Sequence, residues 1–182
     1  MPGASTNETT GAVVEIRPLP PADSRARRLV GELDRLQLSL YPAESNHLDP
    51  IETLERDNVT FLAAFVAGEV VGCGAVKRMP GRYGEIKRMY VDPNARGRGV
   101  GRALIEALES SLLADGIDVA RLETGVRQIE ALALYERCGY VRIPPFGEYR
   151  EDPLSVFLEK RLVRVGKGRS HRSPAAAARP HP

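Results

Sequence analysis

The sequence predicts a single mixed α/β domain, and three observations lead there. Apolar, β-rich segments in the first half follow one another through tight turns, whereas the later ones alternate with helices. Between two of these segments lies a helix in which Val100, Leu104, Leu108 and Leu112 recur every four residues. A length of 182 residues suits one domain with a real core and is short for two.

Val13 to Arg17 reads as a short strand, closed by Pro18, Pro20 and Pro21. Asp23 can cap a helix to about Leu40, with Ala26, Leu29, Val30, Leu33, Leu36 and Leu40 on its apolar face. Tyr41-Pro42 breaks it, and a shorter helix is expected from Pro50 to Arg56. Thr60 to Ala67 and Val70 to Arg78 form a hairpin turning at Gly68-Glu69. Glu85 to Val91 is a strand ended by Asp92-Pro93-Asn94. The long helix then runs to Asp115-Gly116, which supplies a stop. Val119 to Thr124 is a strand, Gln128 to Cys138 a helix ended by Gly139, and Tyr140 to Ile143 and Leu154 to Leu162 the last strands. The order is β-α-α-β-β-β-α-β-α-β-β.

Composition sets limits on function. The apolar fraction is 42%, and no run reaches the 18 or more residues of a membrane span. The polar start, Met1 to Gly11, does not read as a signal peptide. Cys73 and Cys138 stand far apart with no CxxC pair, so ordinary thiols and a reducing cytoplasm are expected. No metal site is expected: His47 is the one histidine outside the tail. Six of the 26 basic residues, and no acidic one, lie from Arg161 onward, which leaves residues 1–160 with a net charge of −4. We expect residues 1–12 and the basic tail 164–182 to be disordered and residues 13–163 to form the domain. The tail has no aromatic residue to stack on bases, so nucleic acid is not the expected partner.

The sharpest local signal is Arg96-Gly97-Arg98-Gly99-Val100-Gly101-Arg102, between a strand and the long helix. Glycines let the backbone turn tightly and approach a ligand, with amides gathered at the positive end of a helix. The arginines add charge that pairs with phosphate oxygens. A dinucleotide fingerprint needs glycine at Arg102 or Leu104, and a Walker A loop needs glycine at Arg102; neither is present. The alternative is a glycine-rich turn that merely starts a helix, in which the arginines would repel one another without an anion.

Arg96-x-x-Gly99-x-Gly101, preceded by Met89-Tyr90-Val91-Asp92-Pro93, resembles the cofactor motif of the GCN5-related N-acetyltransferase (GNAT) superfamily. Ala131-Leu132-Ala133-Leu134-Tyr135-Glu136-Arg137-Cys138-Gly139-Tyr140 resembles its second motif, and the likeness runs from about Ile16 to Leu162. Tyr41-Pro42-Ala43-Glu44-Ser45-Asn46, with the stretch from Pro144 to Tyr149, is similar to a bacterial subgroup, some of whose members carry the name indoleacetic acid acetyltransferase. The resemblance implies the family's mixed sheet of about six or seven strands flanked by about four helices. It further implies acetyl-CoA as cosubstrate, lying between two splayed parallel strands. Backbone groups of Met89, Tyr90 and Val91 would hold the pantetheine. Amides of Arg96, Gly97, Arg98, Gly99, Val100 and Gly101, with the helix start at Arg102 and Ala103, would hold the pyrophosphate. Gln128 stands where the family usually has Asn, seven residues before Tyr135.

The same resemblance places Glu85 where the histone acetyltransferase branch has its catalytic glutamate. An amine acceptor is about 10³-fold more abundant as ammonium than as free amine at pH 7, so a base is needed. A carboxylate in an apolar strand environment suits that role; the alternative is a solvent-facing or ion-paired Glu, with Lys87 as a nearby partner. Tyr135 is the candidate acid for the departing thiolate, against the alternative of a core tyrosine. Tyr41, Glu44 and Asn46, with His47, are offered as acceptor contacts on the loop after the first helix. With no nucleophilic Cys or Ser pattern, direct transfer to a small-molecule or peptide amine is expected. Rival readings are an O-directed or longer-chain acyltransferase, a CoA-binding module without catalysis, and a nucleic-acid binder using the tail. Exposed strand edges are compatible with a homodimer.

Overall fold

The computed structural model describes residues 13–163; the expectations for residues 1–12 and 164–182 lie outside them. In chain order the described elements are β1 (Val14–Pro18), α1 (Ser24–Leu40), α2 (Ile51–Leu54), β2 (Val59–Val66), β3 (Glu69–Met79), β4 (Tyr83–Val91), α3 (Val100–Ala114), β5 (Val119–Gly125), α4 (Ile129–Arg137), β6 (Val141–Ile143) and β7 (Ser155–Arg161). This is the element order that the sequence predicts. Among the described residues the seven strands form one sheet, ordered β1-β2-β3-β4-β5-β7-β6. Only β4 and β5 run parallel; every other pair is antiparallel.

Alternation along β2 shows how the two faces are covered. Leu62, Ala64 and Val66 pack with Leu104, Leu108, Leu122 and Leu158, beneath α3 and α4. Phe61, Ala63 and Phe65 pack with Leu29, Val30 and Leu54, beneath α1 and α2. Burial on both faces explains why β2 reads as an unbroken apolar run. A third cluster of Tyr83, Val119, Phe146 and Phe157 lies under the segment joining β6 to β7.

Local chemistry sets the ends. Asp23 caps α1 as expected, accepting the Arg25 backbone N–H at 2.9 Å, and hydrogen bonds from the Arg25 side chain and backbone hold its carboxyl down to about 2. At the far end of α3, Ile117 N–H donates to Leu112 O and Gly116 N–H to Leu113 O, closing the helix at the expected Asp115-Gly116 stop. Two boundaries differ from expectation. The β2–β3 turn is centred on Ala67-Gly68, both at positive φ, rather than on Gly68-Glu69. This left-handed pair matches the twist of the strands. The second helix spans only Ile51–Leu54, because Val59 already pairs with Lys77 and leaves no room for further turns.

Close packing of α3 requires the sheet beneath it to lack side chains at chosen points. A Cβ built on Gly84 would lie 2.2 Å from Leu112, a side chain with no exposed surface. Gly84→Ala is therefore expected to destabilise the fold by about 1–3 kcal/mol through overpacking. Chemical denaturation checks this, and a parental midpoint would contradict the packing described.

Candidate functional site

The site begins where β4 and β5 part. They pair at Gly84–Ala120, Glu85–Arg121 and Ile86–Leu122, and no further. Beyond that point β4 carries a bulge: Cys73 and Ala75 of β3 stand opposite Tyr90 and Lys87, so two residues, Arg88 and Met89, face one. Arg88 has φ 58°, a left-handed conformation that side chains rarely take. Its buried guanidinium is held by the Asp34 carboxylate and by Asp49 O, with Nε donating to Asp49 O at 2.9 Å. These contacts anchor the bulge to α1 and to the loop before α2.

The parting opens a cleft of about 840 Å³. Met89, Tyr90 and Val91 line one wall, Gln128, Ala131, Leu134 and Tyr135 the other, and Arg96, Gly97, Gly99, Val100, Gly101 and Arg102 one end; Arg98, expected among them, does not line the cleft. Cleft-side backbone groups of β4 beyond Ile86 find no ladder partner on β5. Gly99 is the N-cap of α3 at φ 79°, and a Cβ there would enter open space rather than protein. The first turn of α3 carries no acidic residue, so its exposed amides face no side-chain anion of their own helix. Arg96 bridges the mouth, donating from Nε to Val91 O at 3.2 Å and pairing with Glu130 at 2.7 Å. Gln128 is the N-cap of α4, and its Nε2 is buried without a hydrogen-bond partner among the described residues. A cradle of amides and arginines at one end, unpaired strand backbone along the wall and an orphaned amide beside it fit an anionic, amide-bearing ligand such as acetyl-CoA.

Tyr135 is 6% exposed, and burial, reinforced by nearby Glu123, pushes its hydroxyl well above the usual phenol range. It therefore stays protonated at neutral pH. Cys138 also lines the cleft, and burial raises its thiol, so it is not a ready nucleophile. Cys73 is fully buried and pushed up to about 12.

Glu85 lies on the sheet face toward α1 and α2, 5% exposed. Its surroundings are more polar than the sequence suggests. The Tyr149 hydroxyl donates to Glu85 Oε1 at 2.5 Å, and Lys87 Nζ stands 3.3 Å from the same oxygen. Burial together with the Lys87 pairing unites the buried and ion-paired readings and excludes the solvent-facing one. Glu123 of β5 is a second carboxylate here. Burial raises it above the ordinary carboxylate range, while the Ser155 hydroxyl, donating at 2.7 Å, and the charges of His47 and Lys87 pull it back. Glu123 and Tyr149 escaped the sequence reading. Alternation along β5 puts Glu123 on one face with Arg121, but which face required knowing the pairing with β4.

The loop after α1 contributes unevenly. His47 packs edge-on against Tyr149 at 4.9 Å. Tyr41 is 6% exposed, its ring so close to β5 that a Cβ on Gly125 would lie 2.1 Å away, and its hydroxyl accepts the Arg127 N–H at 2.8 Å. Asn46 spends its amide on Tyr41 O and Pro42 O, and its Oδ1 is buried without a partner among the described residues. Glu44 is exposed on the 3-10 turn Ala43–Ser45 and takes part in none of these contacts. Among the described residues no group of three or more His, Cys, Asp or Glu could hold a metal ion, and no helix is long and apolar enough to cross a membrane.

Residues 30–140 match the family model described as the acetyltransferase (GNAT) family. A protein of Azospirillum brasilense named IAA acetyltransferase is 48% identical over 143 residues, which cover 78% of this chain and 94% of that protein. A solved structure from Klebsiella pneumoniae, described as an acyl-CoA N-acyltransferase, superimposes with a TM-score of 0.71 at 38% identity, covering 83% of this chain and 99% of that one. The PaiA N-acetyltransferase of Thermoplasma acidophilum, solved in complex with coenzyme A, shares the fold at 20% identity and TM-score 0.63, covering 82% and 99% of the two chains.

Gly99→Glu sets a carboxylate in the open space before α3, while Gly101→Glu would also strike Leu134, 2.8 Å from its built Cβ. The Gly99 variant meets no neighbouring side chain, at a cost of about 1–2 kcal/mol for placing a side chain in the left-handed conformation. It should retain a folded circular-dichroism spectrum and lose calorimetrically detectable acetyl-CoA binding. Parental affinity in a folded protein would remove the phosphate cradle from the account.

Proposed function

The chain belongs to the GNAT acetyltransferase family, an acyltransferase family, and from that premise we propose that it transfers the acetyl group of acetyl-CoA directly to a primary amine of a small molecule or peptide. The observation that carries this reading is the parting of β4 from β5, which opens the cleft between the amide cradle and Tyr135. When bound, acetyl-CoA supplies a thioester carbonyl as the electrophile. Backbone groups of Met89, Tyr90 and Val91 hold its pantetheine arm, Arg96 to Arg102 its pyrophosphate, and Gln128 donates its unpartnered amide N–H in the cleft.

Glu85 accepts the proton that the acceptor nitrogen must lose, and Tyr135 donates its hydroxyl proton to the departing sulfur. Burial keeps Tyr135 a phenol until that moment. The buried Glu85 and half-buried Glu123 on the acceptor side favour an ammonium-bearing acceptor over an anionic one. The name borne by the Azospirillum relative does not settle this chain's acceptor, because fold and family leave it open. Free thiols at Cys73 and Cys138 accord with a reducing, cytoplasmic location.

A second reading makes Glu123 the base, favoured by the burial that raises its carboxyl. Parallel Glu85→Gln and Glu123→Gln enzymes separate the two, since only the true base costs about 10²-fold or more near neutral pH.

Under the first reading, Glu85→Gln recovers activity as pH rises toward the ammonium's pKa of about 10.4, because free amine then becomes abundant. Tyr135→Phe gains no such relief, because what it lacks is a donor for the thiolate. Its deficit shrinks with a thioester whose thiol leaves more readily. Steady-state pH–rate profiles check both. Profiles scaled down equally, with the parental shape, would contradict the division of roles.

A further inference from the structure

The segment between β6 and β7 folds back over the sheet and brings Tyr149 to the candidate base. The Tyr149 ring is fixed independently of its hydroxyl. His47 meets it at 4.9 Å, Phe146 at 5.1 Å and Phe157 at 5.4 Å between ring centroids. His47 comes from the loop after α1 and Phe157 from β7, so the ring is held from two sides. Its hydroxyl donates to Glu85 Oε1 at 2.5 Å and accepts from Lys87 Nζ at 3.0 Å. Burial, then the neighbouring Glu85 charge, raises the Tyr149 hydroxyl far above its ordinary value, so it remains a donor throughout the working range.

Lys87 is the competitor in this arrangement. A charge-assisted N–H···O bond closes to about 2.7–2.9 Å when nothing prevents it. Here Lys87 Nζ stands 3.3 Å from Glu85 Oε1 and 3.4 Å from Asp49 Oδ2, with the Tyr149 oxygen bonded to both lysine and glutamate. Among the described residues, both contacts made to Glu85 fall on Oε1.

We propose that Tyr149 is a positioning residue for the transfer reaction, which clamps one oxygen of Glu85, keeps the Lys87 ammonium from closing onto the carboxylate, and so leaves Oε2 for the acceptor nitrogen. This rests on Glu85 being the base. Without the hydroxyl, the carboxylate turns into a close ion pair with Lys87 and both its oxygens are engaged.

Tyr149→Phe keeps the ring and its packing and removes only the hydroxyl, so the melting temperature should stay near the parent's. A hydrogen bond to a charged group is worth enough that kcat should fall about 10- to 100-fold. KM for acetyl-CoA should stay the same, since no cleft residue changes. In the enzyme free of acetyl-CoA, the carboxyl 13C resonance of Glu85 should move at fixed pH. Lys87→Met added to Tyr149→Phe should return part of the lost kcat, because the competing ammonium is gone. In a Glu85→Gln background, Tyr149→Phe should change kcat by less than about 2-fold, the limit of additivity for uncoupled sites. Parental kcat in Tyr149→Phe, beside a crippled Glu85→Gln enzyme, would overturn the positioning role and leave the base reading standing. Parental kcat in Glu85→Gln would bring down both.

Discussion

The parting of β4 from β5 after Ile86 and Leu122 is the constraint on which the rest of this structure depends. Two parallel strands in mid-sheet would ordinarily continue their ladder, since unpaired backbone buried away from water costs about as much as a lost hydrogen bond. Here the bulge at Arg88 and Met89 turns β4 aside. The turn is held by burying the Arg88 guanidinium against Asp34 and the Asp49 carbonyl, which offsets a left-handed residue. Meanwhile β5 stays paired with β7 along its whole length, so the strands diverge instead of sliding. What opens between them is a gap with unsatisfied strand backbone on one side and a helix N-terminus at its end. Such a gap asks for a ligand that carries both amides and phosphates.

The gap also joins the two faces of the sheet. Tyr135 belongs to the cluster beneath α3 and α4, whereas Glu85 and Glu123 lie on the opposite face, toward α1, α2 and the segment after β6. Tyr135 and the two carboxylates are thus kept in separate environments, one a dry core and one a polar chamber, with Glu123 within electrostatic reach of Tyr135 across the opening. That separation lets Tyr135 stay protonated with carboxylates close by, as the proposed direct transfer would require. The loop after α1 completes the polar side, with His47 packing on Tyr149.

Much of this was legible in the sequence where the controlling interactions are local. The order of strands and helices follows from hydrophobic period, and the α1 cap and α3 stop follow from Asp23 and Asp115-Gly116. The run from Arg96 to Arg102 forms the expected tight turn, because its conformation depends on residues within it. What the sequence leaves open depends on contacts across long separations. Tyr149 lies 64 residues from Glu85, and nothing in Pro144 to Tyr149 says which strand it will cover. Glu123 needs the β4–β5 register to be seen as facing Glu85. Tyr41, read as a loop residue at the acceptor side, is instead packed on Gly125 and bonded to the Arg127 amide. The hairpin turn shifted by one residue because Ala67, and not only Gly68, takes positive φ.

Hydrogen exchange on the protein with and without acetyl-CoA tests the central claim most directly, since it reads the backbone that the parting strands leave unpaired. The account predicts that the cosubstrate protects amides in Met89 to Val91 and from Gly97 to Ala103. It predicts little change along β1 and β2, whose backbone is already paired. Protection confined to other segments, with exchange along β4 and the start of α3 unaltered, would contradict the assignment of the cleft.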